Sequence, residues 1–461
     1  MTLKPIALAL ALASAASVYA ARAQAQPTAT ASADTRSVSQ QIAAMQTEID
    51  AMQARLNALK ARATAQQAEP PVTAQPAPAP HAKGAAKPAS GATSGSNRYA
   101  AAKAPAPKKR KEGITVGGAV RFQYSYEGYN PGNVRRAGDV DYDLFRLDLH
   151  GTVHGITLDA QWRWFQYMSA IQHAWVGYAF NERSQVQVGL TRIPFGNQPY
   201  DSHSYFFSSN YYLGLEDTYA AGVEYVYAGD PWNVQLAFFK NDGTGGVDGS
   251  NRTHSYSYDV VGVRAPGEGI YATPSHPAGA ADTVAARVAR TYKPAPGLAV
   301  EVGASGLYGG LDGPASRIGH YHAAAVHANV KYQRWNLQVQ AARYAYTTDS
   351  GANRLAVGAY AFYDTIAARA DSYTVNLAYR LPVRWGPVSA LDFYNDYSLV
   401  IHKSGALPGT FMDVLGVGVS AGDLYTYFDF VTARNQPFIG GSMAGNGRIE
   451  HRFNINFGFY F

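Results

Sequence analysis

Residues 452–461 read R-F-N-I-N-F-G-F-Y-F. Phe453, Ile455, Phe457, Phe459 and Phe461 take every second position, with Asn454, Asn456, Gly458 and Tyr460 between them. Successive side chains of a β-strand point to opposite faces, so this stretch carries one continuous apolar face and one polar or small face. A strand of a soluble sandwich shows the same alternation, but it seldom finishes on a free carboxylate beside an exposed phenylalanine. A strand in lipid needs its outer face apolar and tolerates a wet inner one. The segment is therefore read as a membrane strand.

The same alternation recurs upstream. Phe122, Tyr124 and Tyr126 alternate with Arg121, Gln123, Ser125 and Glu127. Phe145, Leu147, Leu149 and Val153 alternate with Arg146, Asp148, His150 and His154. Ile156, Leu158, Ala160, Trp162 and Trp164 oppose Thr157, Asp159, Gln161 and Arg163, and later segments such as 232–238 and 373–379 repeat the pattern. Beyond the N-terminus no run reaches the ~20 apolar residues of a membrane helix. A membrane reading then requires a closed barrel, because open sheet edges cannot face hydrocarbon. The 33 tyrosines, against 19 phenylalanines and 6 tryptophans, suit girdles where an apolar body meets a wet edge. Short turns near Gly155 and at Gly229-Asp230-Pro231 alternate with long connections at 193–221, 241–282 and 346–370. At about 20–22 residues per strand and turn, residues 113–461 predict an all-β fold: a transmembrane antiparallel β-barrel of about 16 strands with an aqueous interior.

The preceding region is different in kind. Residues 1–25 have the basic start (Lys4), short apolar core and small-residue cleavage sites of a secretory signal peptide. Within 34–64, Ile42, Met45, Ile49, Met52, Leu56 and Leu59 follow at spacings of three and four, the seam of a short coiled-coil helix. About three heptads are marginal alone, so the helix oligomerises only if something larger, such as a trimeric barrel, gathers the copies. An amphipathic helix resting on another surface is the simpler alternative. Residues 65–112 are an Ala/Pro/Lys-rich spacer that cannot bury a core. Its basic cluster at 108–111 would meet anionic headgroups or peptidoglycan in the periplasm, or merely stay solvated. Residues 1–112 carry 14 Lys and Arg against 5 Asp and Glu, a net of +9, whereas residues 113–461 carry 25 against 28, a net of −3. The basic character belongs to the stalk and argues neither for an anion pore nor for nucleic-acid binding.

Arg121, Arg146, Asp148, His150, Asp159 and Arg163 fall on the inward parity, where opposite charges would either set a transverse field across the lumen or stiffen the wall as ion pairs. The connection at 197–219 holds seven rings, among them Tyr205 and Tyr211, together with His203, Glu216 and Asp217, and no lysine or arginine. These are the candidate constriction residues, as a stacking surface for sugars or small aromatic solutes or as packing against the wall. His320 and His322 share one face and His327 takes the other, so metal binding would need a ligand from elsewhere. Ser204, His203 and Asp201 are sequence neighbours, which is not how a catalytic triad converges. With no cysteine, no phosphate-binding loop and no nucleic-acid module, no enzyme activity, cofactor or metal is expected.

Several of these features together resemble a known family. Gly117-Gly118 opens a first strand and Phe145-Arg146 lies in a second. Residues 173–178 and 189–196 (G-L-T-R-I-P-F-G) follow, then the aromatic loop and the phenylalanine-terminated last strand. This order is similar to that of the phosphate-selective porin O/P family of Gram-negative outer membranes. The match is densest over 114–228. The aromatic ending is also similar to the assembly signal of outer-membrane barrels, which implies the barrel-assembly machinery as a partner. The resemblance further implies an inward-folded loop after 189–196 and arginines that hold an anion. Phe145 and Arg146 match that motif, but Leu147 and Ala119 stand where the family has further basic residues, and the loop has no cation. The resulting expectation is a homotrimeric porin in outer-membrane lipid that passes small hydrophilic solutes passively. The alternatives are a channel selective for phosphate or sugar, and a structural tether between outer membrane and cell wall.

Overall fold

The computed structural model describes residues 112–250 and 252–461. The signal peptide, coiled-coil seam and spacer expected before them lie outside the described residues.

The chain runs through β1 (Gly113–Glu127), a short helix α1 (Pro131–Arg135), β2 (Asp139–Val153), β3 (Ile156–Phe165), β4 (Ser169–Ala179) and β5 (Ser184–Arg192). Then come β6 (Tyr219–Ala228), β7 (Trp232–Asp242), β8 (Asp259–Val263), β9 (His276–Pro277), β10 (Gly279–Ala295) and β11 (Leu298–Asp312). β12 (Arg317–Tyr332), β13 (Trp335–Thr348), β14 (Arg354–Ala359) and β15 (Phe362–Ala367) follow. β16 (Arg369–Trp385), β17 (Val388–Ile401), β18 (Thr410–Ala421), β19 (Leu424–Arg434) and β20 (Ile449–Tyr460) complete the chain. Sixteen of these strands close into one barrel, and β15-β14-β8-β9 make a separate four-stranded sheet from two of the long connections. All barrel pairings are antiparallel, and β1 meets β20 with Phe122 opposite Phe457. Closure leaves no unpaired strand edge, the condition for a sheet in hydrocarbon.

Burial is the reverse of that in a soluble sheet. Val326 and Leu415 are 61% and 62% exposed, and Phe122, Trp162, Leu236, Phe457 and Phe459 are exposed with them, while Asn454 and Asn456 are fully buried. The apolar parity of each strand faces outward and the polar parity inward, as lipid demands. The tight turns share one end with Gly113 and Phe461, because β1 begins opposite the end of β2 and Phe461 hydrogen-bonds Gly118. The long connections leave from the other end. The α1 helix there starts at Pro131 and is capped by the Asn130 side chain, which accepts from the Gly132 and Asn133 amides. The buried core is unusual in its position. Tyr211, Tyr212, Tyr256, Tyr258, Leu355, Ile366 and Met443 come from inserted connections rather than from the wall.

Candidate functional site

The connection between β5 and β6, residues 193–218, turns into the barrel. Its entrance is Gly196, at φ +57°, where an added Cβ would lie 2.1 Å from the Gln340 amide oxygen. Glycine is favoured at this close left-handed turn. Gly196 donates to Ser305 Oγ at 2.9 Å and its carbonyl accepts from Arg287 Nε at 2.7 Å, so β10 and β11 pin the entrance. Asp201 then accepts from Thr374 Oγ1 (2.8 Å) on β16 and from the side chains of Asn197 and Asn210 (2.8 and 2.9 Å). Asp396 on β17 accepts from the His203 and Ser204 amides (both 2.6 Å) and from His203 Nδ1 (2.8 Å), while Asn336 Oδ1 lies 2.9 Å from His203 Nε2. Farther on, Ser209 bonds Ser398, and the Tyr205 hydroxyl donates to Asp143 on β2 at 3.0 Å. Because its partners lie on β2, β10, β11, β13, β16 and β17, the loop spans the lumen.

Inside the loop, Glu216 accepts from Ser202 Oγ, from the Asp201 amide and from both the amide and hydroxyl of Ser208. Burial pushes the carboxyls of both Asp201 and Glu216 well above the usual carboxylate range, and the negative charge of Glu216 raises Asp201 further. Asp217 is equally enclosed, with Arg192 at 2.8 Å and the hydroxyls of Tyr219 and Tyr256 at 2.8 and 2.6 Å. His203, Glu216 and Asp217 were expected on the constriction surface. They lie inside the loop and against the wall, His203 facing the acceptors Asp396 and Asn336 Oδ1, and Glu216 and Asp217 accepting from protein donors. Their acidic or polar character alone could not reveal this, because the partners are set by the turns of the loop for Glu216 and by remote segments for His203 and Asp217.

Toward β1–β3 and β20 the loop stands off the wall and leaves a cavity of about 330 Å³. Of the predicted residues, Arg121, Arg163, Tyr205 and Tyr211 line it. Arg121 pairs with Asp143 (2.9 Å) and lies over the Tyr205 ring, its Cζ 5.4 Å from the centroid. Arg452 pairs with Glu127 at 3.1 Å and lies 5.3 Å from the centre of the Phe206 ring. Arg163 takes the Gln161 side-chain oxygen on Nε (2.7 Å) and stacks on Tyr256, 4.3 Å from the ring centre. Nearer the turns, Arg146 pairs with Asp148 at 2.7 Å, and Asp159 sits between His150 and His173 at 3.3 and 2.9 Å. Arg452, Asp143, Tyr256 and Tyr360 were not anticipated. Arg452 was legible, since it shares parity with Asn454 and Asn456. Tyr360 lines the cavity and Tyr256 backs Arg163 beside it, from connections more than a hundred residues apart, and no local pattern announces that.

A closed 16-stranded barrel agrees with the comparisons. The profile of the family described as phosphate-selective porin O and P matches residues 116–367. The sequence has no significant match among curated proteins. Among solved structures, the outer-membrane channel DcaP of Acinetobacter baumannii is similar at 11% identity and a TM-score of 0.50, over 76% of this chain and 97% of that one. OmpT of Vibrio cholerae gives 12% identity and a TM-score of 0.48, over 76% and 97%. An anion-selective porin of Comamonas acidovorans gives 13% and 0.46, over 76% and 99%. The barrel, its inserted loop and a profile match over more than half of its length lead to one conclusion: this chain belongs to the phosphate-selective porin O and P family and is an outer-membrane channel.

Proposed function

We propose that small hydrophilic solutes and ions cross this channel by passive diffusion, along the side of the lumen that the inserted loop leaves open. The observation that carries the reading is the cavity between the loop's rings and the wall arginines. Each of Arg121, Arg146 and Arg452 has a carboxylate within 3.1 Å, so the wall alternates charge instead of presenting a cationic ladder. Paired charges order water across a pore without committing it to one ion sign. In this reading the loop sets the pore size, barrels gather as homotrimers, and residues 34–64 extend a coiled-coil stalk into the periplasm toward peptidoglycan. The outward rings of Phe453, Phe457, Phe459 and Phe461 would serve the barrel-assembly machinery.

Single-channel conductance in planar bilayers tests the loop's role. Deleting residues 205–212 should raise conductance several-fold, and an unchanged value would overturn the reading. A reversal-potential measurement under a salt gradient should give a cation-to-anion permeability ratio near unity. A strong preference for anions would return the case to a dedicated filter.

A further inference from the structure

The wall arginines are not equivalent. Arg163 is 7% exposed and lines the cavity, yet among the described residues no carboxylate lies within ion-pair distance of it. Its cross-strand neighbour Arg146 is also cationic, so the wall supplies no relief. One face of the guanidinium rests on the Tyr256 ring, which is fixed by the hydroxyl's bond to Asp217. Gln161 occupies Nε, and the terminal nitrogens form the remaining fork. Asp217 acts on this charge only from beyond ion-pair distance, and a guanidinium fork matches a carboxylate in two parallel bonds.

Much of the rest of the cavity is aromatic, with Gln123, Ser125, Asp141 and Gln166 in its polar lining. Phe165, Phe207, Tyr211 and Tyr360 surround the space in front of Arg163, with Phe207 stacked on Tyr211 at 4.5 Å and Phe165 edge-on to Tyr360 at 5.5 Å. Ring faces and edges of this kind take a flat apolar body. A sugar would bring no charge to the Arg163 fork, and two of the three lining carboxylates are already engaged, Asp143 by Arg121, Tyr205 and Asn456 and Glu127 by Arg452, which leaves Asp141. Inorganic phosphate would use the fork and leave the rings unsatisfied.

We propose that this vestibule is a binding site for a planar aromatic monocarboxylate, its carboxylate on Arg163 and its ring in the slot formed by Phe165, Phe207, Tyr211 and Tyr360. The site rests on the reading of the cavity as part of the conducting path. A volume of about 330 Å³ suits a single ring and little more, at the small end of the range for small-molecule sites.

Full-length protein in planar bilayers, with benzoate as the probe, provides the test. Benzoate should block the current saturably at millimolar concentration, with inorganic phosphate and glucose at least about tenfold weaker. Block constants are referred to each variant's own open current. Arg163→Gln should weaken benzoate block about tenfold or more, and Arg163→Lys should recover only part of it, since an ammonium keeps the charge without the fork. Phe165→Leu, which keeps bulk but loses the flat ring, should weaken benzoate and leave phosphate unmoved. Current without benzoate block, equal block by phosphate or glucose, or benzoate block indifferent to Arg163→Gln would each overturn the site. Absence of any current overturns the channel reading itself, a different failure.

Discussion

The two sides of this lumen come from one alternating pattern and behave oppositely. Along β16–β19 the inward residues are Thr374, Asn376, Asp396 and Asp429, all essentially buried because the loop lies on them. Along β1–β3 and β20 they include Arg121, Arg163 and Arg452, and the loop faces them with rings across a cavity. The difference follows from what the loop can offer. It has no lysine or arginine, so it meets wall carboxylates with its own amides, which requires close contact and fills the space. Against guanidinium groups it offers aromatic faces, and a cation over a ring is satisfied without the pore being sealed. Carboxylates on the wall fasten the loop. Arginines on β1, β3 and β20 hold the passage open.

Breaking the fastened side should have the largest effect. Asp396→Ala removes one acceptor from three donors, the His203 and Ser204 amides and the His203 ring. Losing one partner of a buried charged pair costs about 3–5 kcal/mol, enough to release the segment around it. Single-channel conductance should rise toward that of the loop deletion. A wild-type value would mean that the contact to β17 does not hold the loop.

Acidity should move the same boundary more gently. Asp201 and Glu216 are raised by burial in the docked loop, whereas a released loop would return them to the ordinary carboxylate range in water. Between the ordinary range and the raised values the docked form therefore binds more protons. Docking is strongest in acid and weakens as pH climbs through the raised values. Mean open current in high salt, where surface charge is screened, should increase from about pH 5 to about pH 8. Glu216→Gln should flatten that slope, and a current that fell with rising pH would contradict the assignment.

How much of this was legible in the sequence divides along the same line. Parity alone placed Arg121, Arg146, Asp148, His150, Asp159 and Arg163 inward and the terminal phenylalanines outward, because a strand leaves a side chain only two directions. The strand total followed from length, and closure from the rule that open sheet edges cannot face hydrocarbon. Within 197–219 periodicity gave composition and nothing more. The partners of Glu216 and Asp217 are set by where a non-repeating backbone turns, and Asp396, which holds the loop, lies nearly two hundred residues away. Tyr256 and Tyr360 belong to the connections that also build the β8–β9–β14–β15 sheet, and their approach to the loop depends on pairings between remote segments.

The finest probe sits at the seam between the two sides. Tyr205 gives its amide to Asp429 on the fastened side at 3.3 Å and its hydroxyl to Asp143 on the open side at 3.0 Å, with Arg121 over its ring. Tyr205→Phe removes only the hydroxyl. Asp143 keeps Arg121 and Asn456, so no buried charge is stranded and the loss is that of one hydrogen bond, about 1 kcal/mol. The loop should remain docked, with conductance within about twofold of wild type and the change visible chiefly as added current noise when the ring swings free of Asp143. Should Tyr205→Phe open the channel as far as Asp396→Ala does, the open wall would be sharing the load, and the separation of the lumen into a holding side and a passing side would fail.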